Sequence, residues 1–124
     1  MPDILLVQPP IRDFYLTAKR TLPYGLACIA AGLEKAGFAV DILDALATSR
    51  SRDIAWPENM NYLREFYGRD DRSLLALFHR YRHYGYSFEH LARKAAQSGA
   101  FLVGISSLFT AYSGEALEIA QRIK

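Results

Sequence analysis

Ile4-Leu5-Leu6-Val7 runs without a polar side chain from Asp3 to Gln8-Pro9-Pro10, and the fold follows from how these residues are read. A short, continuous apolar stretch bounded by polar and turn residues suits a strand buried on both faces, as in a parallel sheet with helices on either side. The two prolines end it, because proline has no amide hydrogen to give a sheet. Downstream, Pro23 stands where a first helical position would, ahead of Leu26, Ile29, Ala30 and Leu33 at helical spacing, and Gly37 closes that helix. Phe38-Ala39-Val40-Asp41-Ile42-Leu43 forms a second strand ending at Asp44. Strand, helix and strand within about forty residues make a βαβ unit, whose crossover is almost always right-handed.

Phe101-Leu102-Val103-Gly104-Ile105-Ser106 is a third strand by the same argument. A helix from Ser87, bearing Leu91, Ala92, Ala95 and Ala96, precedes it and stops at Gly99. Another, from Gly114 to Lys124, is expected to place Ala116, Leu117, Ala120 and Ile123 on its inner face, with Glu115 near the positive end of the dipole. Residues 45 to 86 differ in character, rich in Ser, Arg, Asp and aromatics, and read as a helical insertion. Within it Asp70 or Asp71 caps a helix carrying Leu74, Leu77, Phe78 and Tyr81, with Gly85 at its end. The expected architecture is α/β: a single Rossmann-like or flavodoxin-like three-layer sandwich over residues 1–124, with parallel strands in order 2-1-3 and the fourth and fifth strands lying beyond Lys124. The third strand is then an apolar edge, so two copies are expected to associate through Phe101 to Ile105.

The chain's 124 residues, 51% hydrophobic and 23% charged, suit one domain with a real core. Its net charge of +2 is interspersed rather than striped, which argues against nucleic acid. No apolar run approaches membrane length, so a cytoplasmic, soluble protein is expected. Cys28, in Leu26-Ala27-Cys28-Ile29, reads as a small buried core residue, and one thiol cannot hold an iron–sulfur cluster or a zinc ion. His79 and His83 are four apart on the expected inserted helix. With no third ligand and with Arg80 and Arg82 beside them, they read as a solvated or interface face, and His90 lies on the next helix.

Ligands of open α/β sheets bind beyond the carboxyl ends of the strands. The first such loop, Gln8-Pro9-Pro10-Ile11-Arg12-Asp13, holds no glycine and cannot bring backbone amides up to a pyrophosphate, which counts against dinucleotides and nucleoside triphosphates. Asp44 stands where a ribose-binding acid would, but without those glycines it reads as a strand-end residue. In the loop after the third strand, Gly104 permits close approach, and Ser106, Ser107 and Thr110 offer adaptable hydroxyls. Local chemistry leaves two readings of that loop open: a helix-capping turn, or the wall of a ligand slot.

Gly104-Ile105-Ser106-Ser107-Leu108 is similar to the Gly-hydrophobic-Ser-x-Leu loop of cobalamin-binding domains. The histidine motif of that family, Asp-x-His-x-x-Gly after the first strand, is replaced here by Gln8-Pro9-Pro10. Together with Leu22-Pro23-Tyr24-Gly25-Leu26, Ala30-Ala31-Gly32-Leu33-Glu34-Lys35-Ala36-Gly37 and Val40-Asp41-Ile42-Leu43-Asp44, this resembles the N-terminal domain of cobalamin-binding radical S-adenosylmethionine proteins over residues 3–44 and 88–124. The resemblance implies a module that holds cobalamin without a histidine lower ligand. Contacts would come from Gln8, Pro9, Pro10, Ile11, Gly104, Ser106, Ser107, Leu108 and Thr110, with no catalytic residue in this chain. It also implies a downstream barrel binding a 4Fe-4S cluster and S-adenosylmethionine through Cys-x-x-x-Cys-x-x-Cys, a motif not present in these residues. The second reading is a degenerate Rossmann-like docking or specificity domain of the same enzyme that binds no cobalamin. A receiver domain is disfavoured because the strand ends lack clustered acids.

Overall fold

β1 (Ile4–Gln8) is buried along its whole length, as a strand with neighbours on both edges and helices over both faces must be. The computed structural model describes residues 1–14, 22–63, 65, 80–107 and 109–124. β1 pairs in parallel with β3 (Val40–Asp44) on one side and β6 (Leu102–Ile105) on the other, giving the order β3-β1-β6. The structure is therefore α/β around a three-stranded parallel sheet.

Side chains alternate across β1. Ile4 and Leu6 face Leu26 and Ala30 of α1 (Tyr24–Lys35), while Leu5 and Val7 face Leu91 and Ala95 of α2 (Phe88–Ser98) and Ile119 of α3 (Ser113–Ile123). The first and last helices thus cover opposite faces, as expected. Val7, Leu91 and Ile119 have no exposed surface, and burying each contributes about 1.5–3 kcal/mol. Ser87 caps α2 by accepting from the His90 amide at 3.2 Å, and Gly99 ends it.

Several expectations are corrected. In the described part of residues 45–86, β4 (Ser51–Asp53) and β5 (Arg82–Tyr84) join β2 (Ile11–Asp13) in an antiparallel sheet of order β2-β5-β4, and a 3-10 helix spans Glu58–Leu63. The expected helix around Leu74, Leu77 and Phe78 lies outside the described residues, but its assigned end does not hold, since Tyr81 precedes a strand and Arg82–Tyr84 are that strand. Tyr81 instead packs with Phe14, ring centroids 4.9 Å apart, and Phe14 meets Trp56 edge-on at 4.8 Å. On α3 the buried residues are Glu115 and Ile119, whereas Leu117 is exposed. Cys28 is exposed on the outer side of α1, not in the core. Among the described residues no helix is long and apolar enough to cross a membrane.

The small sheet is joined to the large one at Gly85. Its φ of 104° is closed to L side chains, and a Cβ would lie 2.4 Å from the Ala45 carbonyl oxygen. Gly85→Ala should lower stability by about 3 kcal/mol, through strain and clash together. Gly37→Ala, at φ 95° but facing open space, should cost about 1–2 kcal/mol. Urea-unfolding midpoints compare the two, and equal losses would contradict the close approach to Ala45.

Candidate functional site

The alternation that aims Ile4 and Leu6 at α1 continues into their parallel neighbour. Leu102 pairs with Ile4 and Gly104 with Leu6, so both present the α1 face, as does Ser106 two residues further on. Ser106 extends the ladder by donating its amide to the Val7 carbonyl at 2.9 Å. α1 packs against β1 and β3, and β6 is left uncovered on that side, with Leu102 52% exposed. A groove of about 510 Å3 results between α1 and β6, walled by Leu6, Leu26 and Ile29.

Three of the expected ligand residues meet in this groove: Gln8, Gly104 and Ser106. Gly104 deepens its floor, and a Cβ there would come 2.9 Å from Leu6 Cδ2. Gln8 is 7% exposed, and its side-chain amide makes no hydrogen bond to another described residue, which leaves both a donor and an acceptor for a ligand. Ser106 adds a hydroxyl. No acid, lysine or histidine lines the groove among the described residues; its lining is largely apolar, with Gln8 and Ser106 as polar groups beside it.

The remaining expected contacts are placed elsewhere. Pro9 and Pro10 are buried, and Ile11 packs in β2 against Leu46 and Tyr84. Ser107 and Thr110 are exposed and do not line the groove, and Leu108 lies outside the described residues. The first loop turns into a second sheet instead of a ligand loop, which takes Pro10 and Ile11 into the core. Sequence reasoning missed the mouth of the groove, formed by Leu22, Pro23 and Tyr24, with Leu22 and Tyr24 89% and 79% exposed. The signal lies in Leu22-Pro23-Tyr24-Gly25, which reads as a helix start and as part of the family resemblance but not as a groove wall.

His83 also departs from expectation. It lies on β5, not a helix, and is buried at 2% exposure, while His79 is outside the described residues. Across the strands its neighbours are Arg12 and Arg52, and its ring meets Phe88 edge-on at 5.5 Å. Its Nε2 lies 3.0 Å from the Tyr86 carbonyl oxygen and so carries the donated hydrogen. Arg12 is neutralised from the other side: Nε donates to Glu115 and Nη2 to Glu118, both at 2.9 Å, with the guanidinium over the Phe88 ring at 5.1 Å. Asp44 closes a turn by accepting from the Leu46 amide at 2.9 Å. Burial pushes its carboxyl up, against the pull of that amide.

Burial holds the His83 ring below the usual histidine range; the hydrogen bond to Tyr86 opposes this, and the charges of Arg52 and Arg12 add to the lowering. A base whose pKa is lower folded than unfolded favours the folded state while neutral. That contribution is complete above the unfolded value of about 6.5 and is lost as pH falls through the folded value. Stability by urea unfolding should therefore decline as pH falls below the unfolded value of about 6.5, and His83→Gln should remove this part of the decline. An unchanged decline in the variant would assign it to other groups.

No protein-family profile, curated protein or solved structure matches the chain, so its function has to be read from this geometry.

Proposed function

We propose that this chain is the cofactor-binding module of a cobalamin-dependent radical S-adenosylmethionine enzyme, receiving the nucleotide tail of cobalamin in the groove between α1 and β6. The carrying observation is the convergence of Gln8, Gly104 and Ser106, from the ends of adjacent parallel strands, on one largely apolar groove of about 510 Å3. Strand order β3-β1-β6 with helices on both faces supports reading the sheet as the front of a flavodoxin-like 2-1-3-4-5 array, in which ligands bind beyond the carboxyl ends of the strands.

The groove fits the group. A benzimidazole is planar and mostly apolar, with a polar edge, and here Leu6, Leu26 and Ile29 would face its ring while Gln8 and Ser106 bonded its rim. Cobalamin, when bound, supplies the methyl or redox step, and a downstream 4Fe-4S and S-adenosylmethionine barrel supplies the radical. This chain's residues position the tail and keep water from it.

A second reading draws on the exposure of Leu22, Tyr24 and Ile29 around the groove: the same surface docks another part of the enzyme and takes no cobalamin. Titration of the chain with hydroxocobalamin, followed by visible spectra and calorimetry, separates them. Saturable binding is expected, weakened about tenfold or more by Ser106→Leu and by Gln8→Ala, about 1.4 kcal/mol each. The spectrum should be unchanged by His79→Ala and His90→Ala. No binding by the unaltered chain overturns the cofactor reading and leaves the docking surface.

A further inference from the structure

We propose that a second site, the cleft between β4 and the start of α2, binds the phosphate group of a small phosphorylated ligand. The cleft has a volume of about 490 Å3, within the range of small-molecule sites, and shares no residue with the groove under α1. Arg50, Ser51 and Arg52 form one wall and Ser87, His90 and Arg93 the other.

The pairing of the arginines singles it out. Among the described residues Arg12, Arg80, Arg82 and Arg122 each have a carboxylate within 4.0 Å, whereas Arg50, Arg52 and Arg93, the three that line the cleft, have none. Three guanidiniums around one concavity with no acid in its lining repel one another until an anion joins them, and their planar forks match phosphate oxygens two at a time. Glu89, the acid in the first turn of α2, is drawn away to Arg122 at 2.6 Å and does not line the cleft. The positive end of an eleven-residue helix adds to the same field.

His83 supplies an independent observation at the floor. It is buried, its Nε2 hydrogen is committed to Tyr86, and its Nδ1 has no hydrogen-bond partner among the described residues. The charged groups around the ring are Arg52 from β4, Arg12 from β2 and Glu118 from α3, and two of the three are positive. An unpartnered nitrogen acceptor beside guanidiniums suits an anion that still carries a proton. A phosphate group, with a second pKa near 6, donates such a hydrogen, and sulfate does not. The limited size of the cleft and the acid pairing of the other described arginines favour a small ligand over a polynucleotide, which needs a continuous basic track.

Amide NMR titration of the chain near pH 6, at ionic strength held constant with chloride, tests the site with inorganic phosphate, pyrophosphate and glycerol 3-phosphate. Saturable shifts are expected at Ser51, Arg52 and Gly85 to Arg93. Affinity should fall about tenfold for each of Arg52→Gln and Arg93→Gln, both exposed positions, and be unmoved by Ser106→Leu. Tighter binding of glycerol 3-phosphate than of inorganic phosphate identifies a phosphate ester as the natural ligand class, and the reverse identifies the free ion. Sulfate binding as strong as phosphate binding overturns the role given to His83. No saturable shift with any probe, or binding untouched by both arginine variants, overturns the site, and neither result bears on cobalamin in the α1 groove.

Discussion

Residues 4–13 are one nearly continuous extended run that belongs to two sheets, and the rest of the structure is arranged around that constraint. Its first half accepts β3 and β6 on its two edges, and its second half accepts β5, which in turn carries β4. Pro9 and Pro10 separate the halves, since two residues without amide hydrogens cannot continue a ladder. Besides the close approach at Gly85, Arg12 ties the small sheet to the helical layer, reaching from β2 to Glu115 and Glu118 of α3 over the Phe88 ring. Tyr112 adds a second tie, donating to Asp13 Oδ2 at 2.6 Å.

The groove follows from topology before it follows from side chains. A crossover helix lies over the two strands it joins, so α1 covers β1 and β3 and leaves the same face of β6 bare. Pairing then places Gly104 beside Leu6, and the lack of a side chain at 104 turns a bare strip of sheet into a recess. Gln8 and Ser106 border that recess because they end adjacent strands, which is the general location of ligands in parallel sheets.

The parts legible in the sequence are those in which one physical demand dominates. The continuous apolar runs at 4–7 and 101–105 mark strands of one sheet, the first covered on both faces and the second bare on its α1 face, and Ser87 and Gly99 bracket a helix by their capping chemistry. β2, β4 and β5 have three residues each and carry Arg, Asp and His, so they lack the apolar alternation that marks a strand, and their pairing decides their conformation. His83 is buried because Phe88 covers it, a contact no local pattern encodes. On α3, apolar residues at 116, 117, 119, 120 and 123 permit more than one inner face. Arg12 settles it by making Glu115 tolerable inside, which turns Ile119 in and Leu117 out. Of the site, the strand-end residues were legible from the sheet rule, but the contribution of α1 required knowing which strand it leaves uncovered.

The two edges of β1 are also separated in time. Ile4 pairs with Val40 through a nearby βαβ unit, but with Leu102 only across a far longer stretch of sequence. On a ribosome, the unit spanning residues 4–44 can assemble while the other edge of its central strand is still open, and closing that long loop is the entropically slow step. Until β6 arrives, Leu5 and Val7 have only part of their final cover. The interval between those two pairings is when the open edge of β1 is most exposed to wrong strand partners.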